Sequence, residues 1–156
     1  MDVIPTLLDG AVVCTVSKLC KCPALSCELC TIEAIQVHNW VKLQQLPYLI
    51  FDFNDEKTIC PTFIDELLLV RKRLRIPFLF SGLLGEARLF FEKRNSKDQY
   101  PLFLIPEDAI RALRMQNPGL TEIAPAFPLN FGNPISLDFK ESFFLPPQEL
   151  SLPEDP

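Results

Sequence analysis

Four cysteines, Cys20, Cys22, Cys27 and Cys30, fall within eleven residues with the spacing Cys-x-Cys-x4-Cys-x2-Cys. Four thiolates can close a tetrahedral zinc site. Structural zinc sites usually set two ligand pairs well apart so that the metal staples distant segments, whereas here all four would come from one loop. The other reading of the cluster is a loop of free thiols, some packed as small apolar groups. Cys14 in a strand pattern and Cys60 just before the second helix are expected to be packed thiols. Asp52, Asp55 and Glu56 sit close together after an apolar run. Such a triple can bind a cation, or it can be a solvated acidic loop.

Catalytic chemistry has little to work with. His38 is the sole histidine, next to Asn39 and Trp40 in a helical pattern, which suits a packing or surface role better than a general base. The five glycines form neither a phosphate loop nor a dinucleotide fingerprint. These patterns predict a protein that is not an enzyme.

Composition sets the frame for these residues. In 156 residues, 48% are apolar and 22% charged, enough for one buried core with length to spare. The net charge of −5 argues against a nucleic-acid surface, which must be basic. All of that charge lies late in the chain. Residues 116–156 carry Glu122, Asp138, Glu141, Glu149, Glu154 and Asp155 against Lys140 alone. The same stretch holds eight of the fifteen prolines, together with Phe127, Phe131, Phe139, Phe143 and Phe144. Frequent prolines exclude long helices and central strands, while five phenylalanines predict packing against another surface. The expected division is an α/β domain over residues 1–115 and an extended, acidic Pro/Phe-rich arm over 116–156.

The elements that must position the candidate residues follow from periodicity. Ala11–Val16, Leu49–Phe53, Ile76–Phe80 and Tyr100–Ile105 read as strands, the last at an edge because of Pro101. Helices are predicted over about 31–46, 62–75, 84–93 and 107–115. In the first, Ile32, Ile35, Trp40, Leu43 and Leu46 would share a face. In the second, Phe63, Leu67, Val70 and Leu74 form a stripe about 60° wide. Thr62 and Asp65 have capping-box spacing, which predicts Thr62 as N-cap. Strand and helix alternate throughout, so a mixed sheet of four to five strands with about four helices is expected.

Three segments resemble the STAS domain of bacterial anti-sigma-factor antagonists, stressosome proteins and sulfate-transporter tails. Leu49-Ile50-Phe51-Asp52, followed by Thr62 and the helix to Arg75, is similar to that family's strand, switch loop and second helix. Phe78-Leu79-Phe80-Ser81-Gly82-Leu83 leading to Glu86-Ala87-Arg88-Leu89-Phe90 is similar to its next strand and helix. Ile105 to Leu113 resembles the closing helix. The likeness spans about 48–115 and rests on apolar positions.

It implies a regulatory interaction module that binds a kinase-like or other regulatory protein, or copies of itself, through the switch loop and the second helix. The residues so implied are Asp52, Thr62, Asp65, Leu69 and Lys72, with Leu68 and Arg75 beside them. Thr62 falls where switching members are phosphorylated. The motif Asp-Ser-Ser/Thr-Gly is replaced by Cys60-Pro61-Thr62-Phe63, so only the hydroxyl is kept. Two other functions fit the residues: a zinc or thiol protein centred on Cys20–Cys30, and a scaffold assembled through the arm. No apolar run is long enough to span a bilayer and the first residues lack a signal-peptide pattern, which predicts a cytoplasmic protein.

Overall fold

A computed structural model describes residues 2–17, 28–95, 101–120 and 134–136. Its core is an α/β mixed sheet with four helices among the described residues. The chain opens with β1 (Asp2–Leu8), turns at Asp9-Gly10, and returns as β2 (Ala11–Ser17) in an antiparallel hairpin. Both turn residues take positive φ, 47° and 80°, the conformation a two-residue hairpin turn demands and Asp-Gly favours. β1 was not expected, because Pro5 interrupts its pattern. A proline is tolerated there because, among the described residues, β6 pairs with β1 only at Asp2 and Val3, leaving an open edge beyond.

From β2 onward the strands run parallel. α1 (Glu28–Leu43) leads to β3 (Leu49–Glu56), α2 (Pro61–Leu74) to β4 (Phe78–Leu83), and α3 (Gly85–Asn95) to the short β5 (Leu102–Phe103). The chain closes with α4 (Pro106–Gln116) and a two-residue β6 (Ile135–Ser136). The sheet order is β5-β4-β3-β2-β1-β6. Successive right-handed crossovers in one direction place α1, α2 and α3 on the same face. α4 packs on β3, β4 and β5 from the other side.

The face under α2 and α3 is lined by phenylalanines. Residues at i and i+2 of a strand share a face, so Phe51 and Phe53 of β3 meet Phe78 and Phe80 of β4. Phe91 of α3 closes the row, its ring edge-on to Phe80 at 5.1 Å. All five are essentially fully buried, each worth about 1.5–3 kcal/mol of transfer free energy. Tyr48 pins the sheet's middle, its buried Oη accepting the Val12 N–H at 2.8 Å.

α1 differs from its expected form. It begins and ends three residues early, and the chain turns at Gln44-Gln45 so that Leu46 folds back into the core. The buried face is Cys30, Ala34, Val37, Trp40 and Val41, with Gln36. Ile35 and Leu43, expected inside, are 45% and 61% exposed. The apolar residues of this helix surround it, so periodicity alone does not choose among faces.

Phe80→Ala should cost about 3–5 kcal/mol, the range for a buried aromatic truncated to a cavity. Leu43→Ala should stay within about 0.5 kcal/mol, as exposed positions do. Urea midpoints of the two variants check the assignment of faces.

Candidate functional site

The carboxyl ends of parallel strands are where α/β folds gather functional groups. At that end of β3 the register shifts between Asp52 and Glu56. Asn54 and Asp55 both take left-handed backbone, at φ 55° and 58°. Asn and Asp tolerate that region better than other residues with a side chain, which is why this dipeptide can build the bulge.

Gly82 of β4 sets the other wall. Its φ is +76°, and a Cβ there would lie 2.4 Å from Asp52 Oδ1 and 2.9 Å from the Asn54 nitrogen. The strands approach this closely only because position 82 has no side chain.

Asp52 lies in this junction, 8% exposed, between two core phenylalanines in sequence. Its neighbours face α2 and α3, so its carboxylate faces α4. The Ser81 hydroxyl, fully buried, donates to Asp52 Oδ1 at 2.9 Å. Burial pushes the carboxyl above the usual carboxylate range. Hydrogen bonds from Ser81 and the Asn54 N–H draw it partway back, while the charges of Asp55 and Glu107 add smaller upward pushes. The expectation of a solvated or cation-binding triple is corrected here for Asp52. It is a buried, hydrogen-bonded carboxylate, while Asp55 is exposed. Among the described residues no group of three or more His, Cys, Asp or Glu side chains is placed to hold a metal ion.

Beyond the bulge the loop is tied to α3. The Leu84 N–H donates to the Glu56 carbonyl at 2.9 Å, and the Ala87 N–H to the Lys57 carbonyl at 3.1 Å. Thr58, Ile59 and Pro61 then border a hollow of about 170 Å³ against Glu86, Ala87 and Phe90.

α2 starts differently from its expected form. Cys60 is the N-cap, makes no side-chain capping bond, and is followed by Pro61 at the first helical position. Thr62 therefore occupies the second helical position rather than the cap. Pro61 explains the displacement, since its fixed φ suits the first helical residue. Asp65 and Glu66 accordingly lie beyond the first turn, which holds no acidic residue.

The structure brings four of the implied residues together and separates one. Thr62, Asp65, Leu69 and Lys72 form a stripe about 80° wide along α2, at 100° per residue. Thr62 and Asp65 are half-buried, while Leu69 and Lys72 are exposed. Asp65 Oδ1 meets Arg94 Nε of α3 at 3.4 Å. Asp52 stands apart, on the opposite side of the sheet. Ser81, Gly82 and Asn54, which shape the junction, were not anticipated. Their signals were the Ser-Gly closing the β4 run and the Asn-Asp pair after β3.

Of the cysteine cluster, Cys30 is buried in the first turn of α1, and Cys20, Cys22 and Cys27 lie outside the described residues. Cys14 and Cys60 are fully buried thiols, and burial pushes Cys14 well above the ordinary thiol range. His38 is half-buried beside Asn39, Nδ1 to Oδ1 3.3 Å. Among the described residues no helix is long and apolar enough to cross a membrane. Comparison with protein-family models, curated proteins and solved structures returns no match to this chain.

Gly82→Ala should destabilise the protein by about 1–2 kcal/mol from left-handed backbone and about 1–3 kcal/mol from overpacking, read by chemical denaturation. The raised carboxyl of Asp52 gives a signed pH effect. The folded state holds its proton to higher pH than the unfolded state, so this group's contribution is greatest below about pH 3.9. It is lost as pH rises through the folded value. Asp52→Asn should therefore gain stability relative to the parent from about pH 4 upward and level off above that folded value. Urea midpoints from pH 4 to 8 measure the difference.

Proposed function

We propose that the chain is a non-enzymatic regulatory module of STAS type, binding a protein partner through the β3–α2 loop and the outer stripe of α2. The observation that carries this reading is the anchoring of that loop. Two backbone hydrogen bonds to the start of α3 and the bulge packed on Gly82 hold Lys57 and Thr58 at the surface. A loop already ordered loses little entropy on binding. The element order also supports it, because the segments that resemble the family fall in residues 49–116, which form strand, loop, helix, strand, helix, strand and helix in that sequence.

Thr62 extends the reading to regulation. A phosphate on the second residue of α2 would sit at the positive end of a 14-residue helix, where anions are favoured. It would also add about two negative charges to the partner-facing stripe. Phosphorylation then changes the charge of the contact surface without repacking the core.

Photocrosslinking in the native host tests this. A photoreactive residue at Thr58 or Leu69 should trap one discrete protein, and the same residue at Leu7 on the hairpin should not. Thr62→Asp should reduce the Thr58 adduct severalfold. Identical adducts from all three positions, or none from Thr58 and Leu69, would overturn the reading.

A further inference from the structure

At the opposite end of α2 from the loop lies a second recognition feature. A groove of about 610 Å³ runs between the last turn of α2, the start of β4 and the end of α4. Leu68, Ile76 and Phe78 give it apolar walls, and Arg71, Lys72 and Arg75 make it cationic. Arg71 is nine-tenths buried, its guanidinium 5.7 Å from the centre of the Phe80 ring. Lys72 and Arg75 are exposed at the rim. Cationic and apolar groups side by side complement an extended segment that carries both carboxylates and aromatic rings.

We propose that it receives the chain's own C-terminal segment, residues 137–156, which lie outside the described residues. Three observations favour this occupant. The segment carries Asp138, Glu141, Glu149, Glu154 and Asp155 against Lys140, opposite in sign to the groove. It also carries Phe139, Phe143 and Phe144, apolar groups that match the groove's apolar walls. Its reach is sufficient. β6 ends at Ser136, four strand positions from β4, a lateral distance of about 19 Å. Its pairing with Asp2 places Ser136 at the end of the sheet away from the groove, adding roughly 20 Å along the strands. Twenty extended residues span up to about 66 Å.

Docked there, the segment covers Leu68, Lys72 and Arg75, at the C-terminal end of the helix whose loop and outer stripe serve the partner. It therefore competes with any partner whose footprint runs the length of α2. The two sites share Lys72, but the β3–α2 loop lies at the other end of the helix, so the Thr58 adduct and the protection of the tail are separate readouts.

Hydrogen exchange of the full-length chain, read by mass spectrometry over peptides from 137–150, tests the proposal. Amides there should exchange at least about tenfold slower than random coil. Lys72→Glu with Arg75→Glu should return them to near coil rates, with a melting temperature close to the parent's because both side chains are exposed. Asp138→Lys with Glu141→Lys, which reverses the charge on the segment itself, should do the same. Combining all four changes should restore protection by swapping the charges. Coil-rate exchange in the parent, or protection indifferent to either charge reversal, overturns the proposal. Protection that rises with protein concentration alongside a dimeric mass by light scattering also overturns it, because the segment then occupies a second copy.

Discussion

The close approach of Gly82 to the Asp52 carboxylate and the Asn54 backbone is the constraint from which the functional end of the molecule follows. With no Cβ at position 82, β4 can lie against the place where β3 must end its regular ladder. β3 accommodates it by bulging through two left-handed residues. The bulge turns the carbonyls of Glu56 and Lys57 toward the start of α3, where the Leu84 and Ala87 amides take them up. The loop that enters α2 is thus positioned by strand geometry on one side and a helix start on the other. Any side chain at 82 would disturb the bulge, the loop and the helix start together.

The two faces of the sheet divide stability from specificity. On the α2–α3 face, five phenylalanines from β3, β4 and α3 form a continuous layer. Edge-to-face and offset pairs add about 0.5–1.5 kcal/mol each beyond area burial. On the α4 face, the alternate position of β3 buries a carboxylate, which is destabilising unless it is hydrogen-bonded. Ser81 and the Asn54 amide supply those bonds. They also select the register, since a one-residue slip of β3 against β4 would part Asp52 from Ser81 and put the carboxylate among the rings. The polar pair specifies the alignment that the apolar layer alone would leave less defined.

How much of this was legible in the chain depends on whether the deciding interaction is local. β3, β4 and α2 show plainly, because a doubly covered strand is a continuous apolar run and α2 concentrates Phe63, Leu67 and Val70 on one narrow face. The face of α1 does not, since Ile35 and Leu43 are as apolar as the residues it buries. β1 hides behind Pro5, and β6 is a two-residue pairing to a strand more than 130 positions away. Thr62 misleads because Ser and Thr are good caps, yet with Pro61 as the first helical residue the cap falls at Cys60, two residues before Thr62. The Asp52–Ser81 bond spans 29 residues and exists only once parallel register is set. The helix that carries the candidate surface was therefore readable, its surface residues being those the resemblance implies, whereas the junction that supports it was not.

α2 joins the two ends of the molecule through a single buried cation. Arg71 lies on the helix's inner face, against the Phe80 ring at the centre of the aromatic layer, and also lines the groove. A guanidinium can hold such a place because it is weakly hydrated and stacks on aromatic rings. Its charge near the helix C-terminus complements the negative end of the dipole there, and its apolar stem packs where a hydrophobic residue would otherwise stand. A lysine could not substitute on equal terms, because a compact ammonium does not stack and is costly to strip of water. The residue that bolts α2 to the sheet is thus also the one that gives the groove its buried positive charge. The helix cannot shift on the aromatic layer without moving that charge, so the geometry of the groove is tied to the same packing that fixes the loop at the helix's other end.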